Sequence, residues 1–173
     1  SDCEYGWNYA HEEYNDLTIG SESGQTIHPT VYTYGWDDHG TAVLGESIAT
    51  DNGYGVNGIA PGSTAHTYTE WSVEEGYRRE TAIANAIAES SAGDVVLLEM
   101  QTVNFGSNYG PAELDPDVYN IVKAGSASGV VVVGAAGNGN ENLDSGTYST
   151  YMGWGDSGSI LVGAGSPDAS HDK

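Results

Sequence analysis

The sequence predicts an α/β protein built on a doubly wound, mostly parallel sheet with helices on both faces. Three observations predict it. Val95-Val96-Leu97-Leu98, Val130-Val131-Val132-Val133 and the stretch from Ser159 to Ala164 are short apolar runs without polar alternation, the pattern of strands buried in a parallel sheet. Helical periodicity precedes each of the first two runs, closed by Gly93 and Gly129. Helices alternating with such strands make crossover units, and crossover units make a parallel sheet.

In chain order, the opening residues around Glu4 read as a first strand. Residues 20–38 are polar, with Gly20, Gly24, Pro29 and Gly35, and predict an irregular connection or hairpin. From His39 to Thr50, Val43, Leu44 and Ile48 fall on one helical face. Asp51-Asn52-Gly53-Tyr54-Gly55 then supplies the turn residues that end it. Ile59-Ala60-Pro61 closes a turn, and Ala65 to Tyr68 is a short strand. Residues 74–92 give the clearest helix, with Ile83, Ala86, Ile87 and Ala88 as its apolar stripe. Asp117 to Ser128 predicts another, with Val118, Ile121 and Val122 inward. There is no internal repeat and no linker, and 173 residues suit one domain.

The charge is lopsided. Four Lys and Arg stand against 25 Asp and Glu, a formal net charge of −21. Such a surface repels phosphate backbones and anionic lipid heads, which excludes nucleic acid and membrane surfaces as partners. It suits divalent cations, basic substrates or a salty habitat. Cys3 is the only cysteine, so neither an intrachain disulfide nor a thiolate zinc site can form. No apolar run approaches the ~18 residues of a spanning helix. The opening Ser1-Asp2-Cys3 has no leader-like pattern, and we expect the N-terminus to be a processing or fragment boundary.

In parallel sheets, functional loops lie beyond the carboxyl ends of the strands. That selects Gly134 to Asn140, Glu99 to Phe105, and the chain following Glu4. His39-Gly40-Thr41 opens a helix, where a carboxylate can hold one ring nitrogen while the other takes up a proton. A surface or capping histidine is the plain alternative. Gly134-Ala135-Ala136-Gly137-Asn138 follows a buried strand, and its small residues allow close backbone approach. Asn138 then offers an amide to a developing oxyanion; an ordinary turn is the alternative. Trp7, Trp36, Trp71, Trp154 and the 12 tyrosines either line a cleft or cover core edges.

Together these segments resemble a known family. His39-Gly40-Thr41-Ala42-Val43-Leu44-Gly45 is similar to the histidine motif of subtilisin-like serine peptidases, HGTxVAG. Asp51 to Pro61 resembles that family's loop ending G-(V/I)-A-P. Ala127 to Asn138 resembles its strand ending A-A-G-N, and Ser159 to Ala164 its following I-x-V-G-A strand. Four segments in the right order are far more specific than any one. The resemblance implies a subtilisin-like fold, a polypeptide substrate and secretion, with residues 1–173 forming a peptidase domain incomplete at its C-terminus.

The resemblance also implies roles. His39 falls on the general base and Asn138 on the side-chain donor of the oxyanion hole. Glu4 falls where the family has aspartate, because Gly6 follows two residues later and His11 seven later. Asp2 is a second candidate, reached by a two-residue slip. The family's G-T-S-x-(A/S)-x-P serine motif is not found in the sequence. Glu99-Met100-Gln101 stands where family members carry S-x-G beside the substrate backbone. These differences leave two readings open, a serine endopeptidase whose serine lies outside this chain and a pseudopeptidase that binds or assembles proteins. A complementing C-terminal segment or second chain is expected. No cofactor is required. A calcium ion is the one ligand the resemblance adds, held by Glu13, Asn52 and the carbonyls of Thr50, Tyr54 and Val56.

Overall fold

The computed structural model describes residues 1–15, 17–22, 24–105 and 108–167. They form two compact units, Ser1–Glu89 and Ser90–Lys173.

The first unit runs β1 (Asp2–Glu4), β2 (Ile19–Ser21), α1 (Pro29–Thr33), α2 (Asp37–Ile48), β3 (Ala65–Thr69), β4 (Trp71–Ser72), β5 (Gly76–Tyr77) and α3 (Arg79–Ala88). β3 is the middle strand. β1 lies parallel along one edge, with Asp2 opposite Thr67 and Glu4 opposite Thr69. β2 lies parallel along the other, with Ile19 opposite Ala65. Leu44 and Ile48 of α2 pack with Trp7, Tyr14 and Ala65 into a core on one face. Tyr68, odd-numbered steps from Ala65, points to the opposite face. There its hydroxyl donates to Glu89 just beyond α3 at 2.8 Å. Helices therefore cover both faces of this unit's sheet.

Two expectations need correction here. Residues 20–38 are not an irregular connection, because they contain most of β2, all of α1 and the start of α2. β2 is too short to show alternation. The five residues of α1 are too few to show a helical period, although Pro29 in its first turn and the His28 ring accepting from Thr30 N–H mark its start. The helix expected over 74–92 is confined to Arg79–Ala88, and the chain before it forms β5, antiparallel to β4. Its buried stripe is Ala82, Ile83 and Ala86, whereas Ala88 is exposed. Alanines four apart let the helix axis approach the sheet closely.

The second unit runs β6 (Val95–Leu98), β7 (Gln101–Val103), β8 (Tyr109–Pro111), α4 (Pro116–Ala127), β9 (Val131–Ala135), α5 (Ser149–Trp154) and β10 (Ile160–Val162). β6, β9 and β10 are parallel, with Val95 opposite Val131 and Val133 opposite Ile160. α4 packs on β9 with Val118 and Val122 buried and Ile121 partly so. Asp115 caps it, accepting from the Asp117 N–H at 2.9 Å. Gly129, at φ +89°, turns the chain out of it. The strands are not buried throughout, as their composition suggests. Val96, Leu98 and Val132 are buried, but Val95, Val131, Ile160 and Val162 share the other face and are exposed.

Candidate active site

β1 ends at Glu4, whose side chain is buried. Its carboxylate is held from two sides. Oε1 accepts the Tyr5 N–H at 2.8 Å, and Oε2 meets His39 Nδ1 at 2.6 Å. The histidine stands in the first turn of α2 with 60% of its side chain exposed. A proton on Nδ1 donated to Glu4 fixes the tautomer in which Nε2 is the basic nitrogen. The extra methylene of glutamate, relative to aspartate, does not prevent the contact.

Gly40 explains how helix and strand end come together. A Cβ there would press into the Gly6 carbonyl oxygen and stand 2.7 Å from Glu4 Cγ. The glycine is needed inside α2 for close approach, not for a turn beside the ring. A further tie is the Asn8 N–H donating to Thr41 Oγ1 at 2.8 Å. Asp2, the alternative acid, is engaged elsewhere, its Oδ2 accepting from Trp7 Nε1 at 2.8 Å in the core.

Sequence reasoning missed what lies behind Glu4. The Glu70 N–H donates to the Glu4 carbonyl at 2.9 Å. The Glu70 carboxylate is buried and takes the Arg79 Nε at 3.2 Å. Burial pushes Glu70 up to about 7 against the pull of the guanidinium, with the Glu4 charge adding to the rise. A glutamate immediately after the Ala65–Thr69 strand is the only sequence signal for it.

In the second unit, the loop after β9 is gripped by β8. Gly139 N–H donates to the Tyr109 carbonyl at 2.7 Å. A Cβ on Gly137, at φ +88°, would meet the Gly110 backbone at 2.7 Å. Asn138 is exposed at the tip, its own N–H donating to Gln101 Oε1 at 3.0 Å. Of the three residues expected along a substrate edge, Glu99 and Gln101 are partly exposed, whereas Met100 is 2% exposed and turns into the core. β7 is moreover paired antiparallel with β8, Gln101 opposite Pro111 and Val103 opposite Tyr109. The β7–β8 pairing has no signal in the sequence, and it holds the Asn138 loop through Gln101 Oε1 and the Tyr109 carbonyl.

The loop after α2 wraps Glu13. Thr50 N–H donates to the Glu13 carbonyl at 3.3 Å, and Val56 N–H donates to Glu13 Oε1 at 3.0 Å. Asn52 Oδ1 accepts from Tyr54 N–H at 3.2 Å. Gly53 and Gly55 take positive φ, and a side chain on Gly55 would overlap the Glu13 carboxylate. Glu13 Oε2 is buried with no hydrogen-bond partner among the described residues. An orphaned carboxylate oxygen ringed by backbone is what an oxygen-liganded cation requires. Among the described residues, no three His, Cys, Asp or Glu side chains gather as a metal cluster. A cation here would therefore depend mostly on backbone and amide oxygens. No helix is long and apolar enough to cross a membrane among the described residues.

The family model for peptidase S8, the subtilase family, matches residues 9–170. No curated protein matches the chain.

Proposed function

The chain belongs to the subtilase family, and from that membership we propose that it forms part of a serine endopeptidase whose serine comes from outside these 173 residues. The observation that carries the reading is the 2.6 Å contact between His39 Nδ1 and Glu4 Oε2. In the reaction proposed, the serine oxygen attacks a peptide carbonyl as His39 Nε2 takes its proton. Glu4 holds the ring and offsets the charge it gains. Asn138 donates its amide to the oxyanion, with its backbone steadied by Gln101 and β8. His39 then returns the proton to the leaving amine, and water attacks the acyl-enzyme by the same route.

The test is labelling of the full polypeptide by a fluorophosphonate probe. Labelling of one serine, lost in His39→Ala, is the expected result. A folded protein that takes no label would sink the reading. Gene sequence beyond the Lys173 codon should then encode a G-T-S-x-(A/S)-x-P segment.

The pairing of β7 with β8 favours a second reading, a pseudopeptidase that binds proteins, because those strands occupy one another's hydrogen bonds. Turnover of any peptide substrate excludes it. Three further parts of the proposal rest on different supports. The exposed face bearing Val95, Val131, Ile160 and Val162 favours a complementing segment or chain that covers it. The orphaned Glu13 oxygen favours a calcium ion held by Glu13, Asn52 and the carbonyls of Thr50, Tyr54 and Val56; such an ion would stiffen the loop and take no part in proton transfer. Secretion rests on family membership alone, and recovery of the protein from culture medium would test it.

A further inference from the structure

Trp36 is the hub of an aromatic array beside the His39–Glu4 pair. Its ring lies 4.9 Å from Tyr5, 5.3 Å from Tyr34 and 5.7 Å from Trp71, centroid to centroid. Tyr77 extends the array, 6.1 Å from Tyr5. Tyr5 directly follows Glu4, and Trp36 stands three residues before His39 at the start of α2, so array and imidazole share one side of the helix. The outer rings are open to solvent, Tyr34 at 68% and Trp36 at 37%. Contiguous exposed rings of this kind mark a binding surface.

The array is an open shelf: Tyr34 stacks on Trp36 with their planes 22° apart, which covers one face of the indole and leaves the outer face of Tyr34 to solvent. An aliphatic side chain laid on it would stay wet on its outer side and gain little from burial. A cation needs only one ring face. The chain itself shows the contact, because the Arg79 guanidinium lies over Tyr77, 5.4 Å from its centroid. No such cation covers Tyr34 or Trp36 among the described residues. Asp37 and Asp38 follow Trp36 directly in the first turn of α2, and the chain's net charge is −21, so the shelf sits in a field that draws cations.

We propose that the outer face of Tyr34, backed by the stacked Trp36, forms the subsite for an arginine or lysine side chain of the polypeptide substrate, beside the bond being cut. This rests on the endopeptidase reading for its location, and the experiment separates the two. The full polypeptide is given octapeptides carrying one arginine, moved through each position of an alanine background. Matched peptides carry citrulline, which has the same shape without charge. At one position the arginine peptide should exceed its citrulline twin in kcat/KM by about tenfold. The ratio should fall toward one in Tyr34→Leu and Trp36→Leu and survive in Tyr34→Phe. Tyr34 is exposed, so its variants decide the matter should Trp36→Leu fail to fold. Equal rates for the twins, a ratio unchanged in Tyr34→Leu, or faster cleavage of leucine or phenylalanine peptides would overturn the subsite while leaving the endopeptidase intact. If nothing is cleaved, the endopeptidase reading fails, and tryptophan quenching on titration with the same peptides decides the subsite. Tighter arginine binding, weakened in Tyr34→Leu, supports it; equal binding refutes it.

Discussion

A methyl group at position 40 would stand 2.7 Å from Glu4 Cγ and 3.1 Å from Trp7 Nε1, with no flexible neighbour able to give way. Gly40→Ala should therefore destabilise the fold by about 1–3 kcal/mol, read from the urea midpoint, and should also weaken peptide cleavage by moving His39 off Glu4. Glu4→Gln tests the pair more directly. It keeps the volume but removes the charge and permits the wrong tautomer, so kcat should fall on the order of 10²- to 10⁴-fold with KM nearly constant. A KM effect alone would show that Glu4 acts in binding. The letters made His39, Glu4 and Asn138 legible, since each stands at a fixed offset from glycines of a recognisable motif. They favoured Glu4, which fits the motif register, over Asp2, which needs a two-residue slip. The structure sets Asp2 apart through Trp7, whose indole takes it into the core.

At the scale of elements, the α2–loop–Glu13 assembly and the capping of α4 give separate tests. Glu13 Oε2 lacks a partner among the described residues, and a bound calcium would supply one. A millimolar calcium addition should raise the melting temperature by several degrees, and Glu13→Gln should abolish the rise; a melting temperature indifferent to calcium and chelator would remove the ion from the proposal. Asp115→Ala removes the cap of α4, where the carboxylate receives the Asp117 and Val118 N–H groups. The expected cost is about 1 kcal/mol in urea unfolding, with no change in peptide preference. The helices α2 and α4 were legible because periodicity accumulates with length, and β6 and β9 because each is an unbroken apolar run; all four lie within a few residues of their expected spans. Elements of three to five residues, such as β2, α1 and β7, carry too few positions for a period to emerge. They form because neighbouring strands and turns complete their hydrogen bonds.

For the whole molecule, the charge of −21 should make stability rise with ionic strength. Between 0.1 and 1 M NaCl the melting temperature should climb by a few degrees, because screening relieves self-repulsion. Glu70 adds an opposite kind of sensitivity. Burial raises it from an ordinary 4.5 to about 7, so between those values the folded chain holds a proton that the unfolded chain has released. Its contribution is complete below about pH 4.5 and is lost as pH rises through about 7. Relative to Glu70→Gln, the parent should lose at most about 3 kcal/mol across that window, measured by urea unfolding at the two ends. Arg79 stays charged throughout, so its lost partner shifts the variant's stability without altering the slope. The exposed valine and isoleucine face of β6, β9 and β10 predicts that the 173-residue chain, prepared alone, binds a hydrophobic dye and self-associates in sedimentation; a clean monomer would argue against a complementing segment.

Sequence by itself determined the parallel α/β architecture and the acidic charge balance, and it nominated His39, Glu4 and Asn138, because each of these is written in local spacing or composition. Tertiary structure alone decided that Glu4 meets His39 at 2.6 Å, that Met100 turns inward, that Glu70 and Arg79 lie paired behind the site, and that the rings around Trp36 form one shelf. These depend on which residues distant in sequence come to share a face. That is settled by strand register and close helix approach, which a linear pattern does not carry.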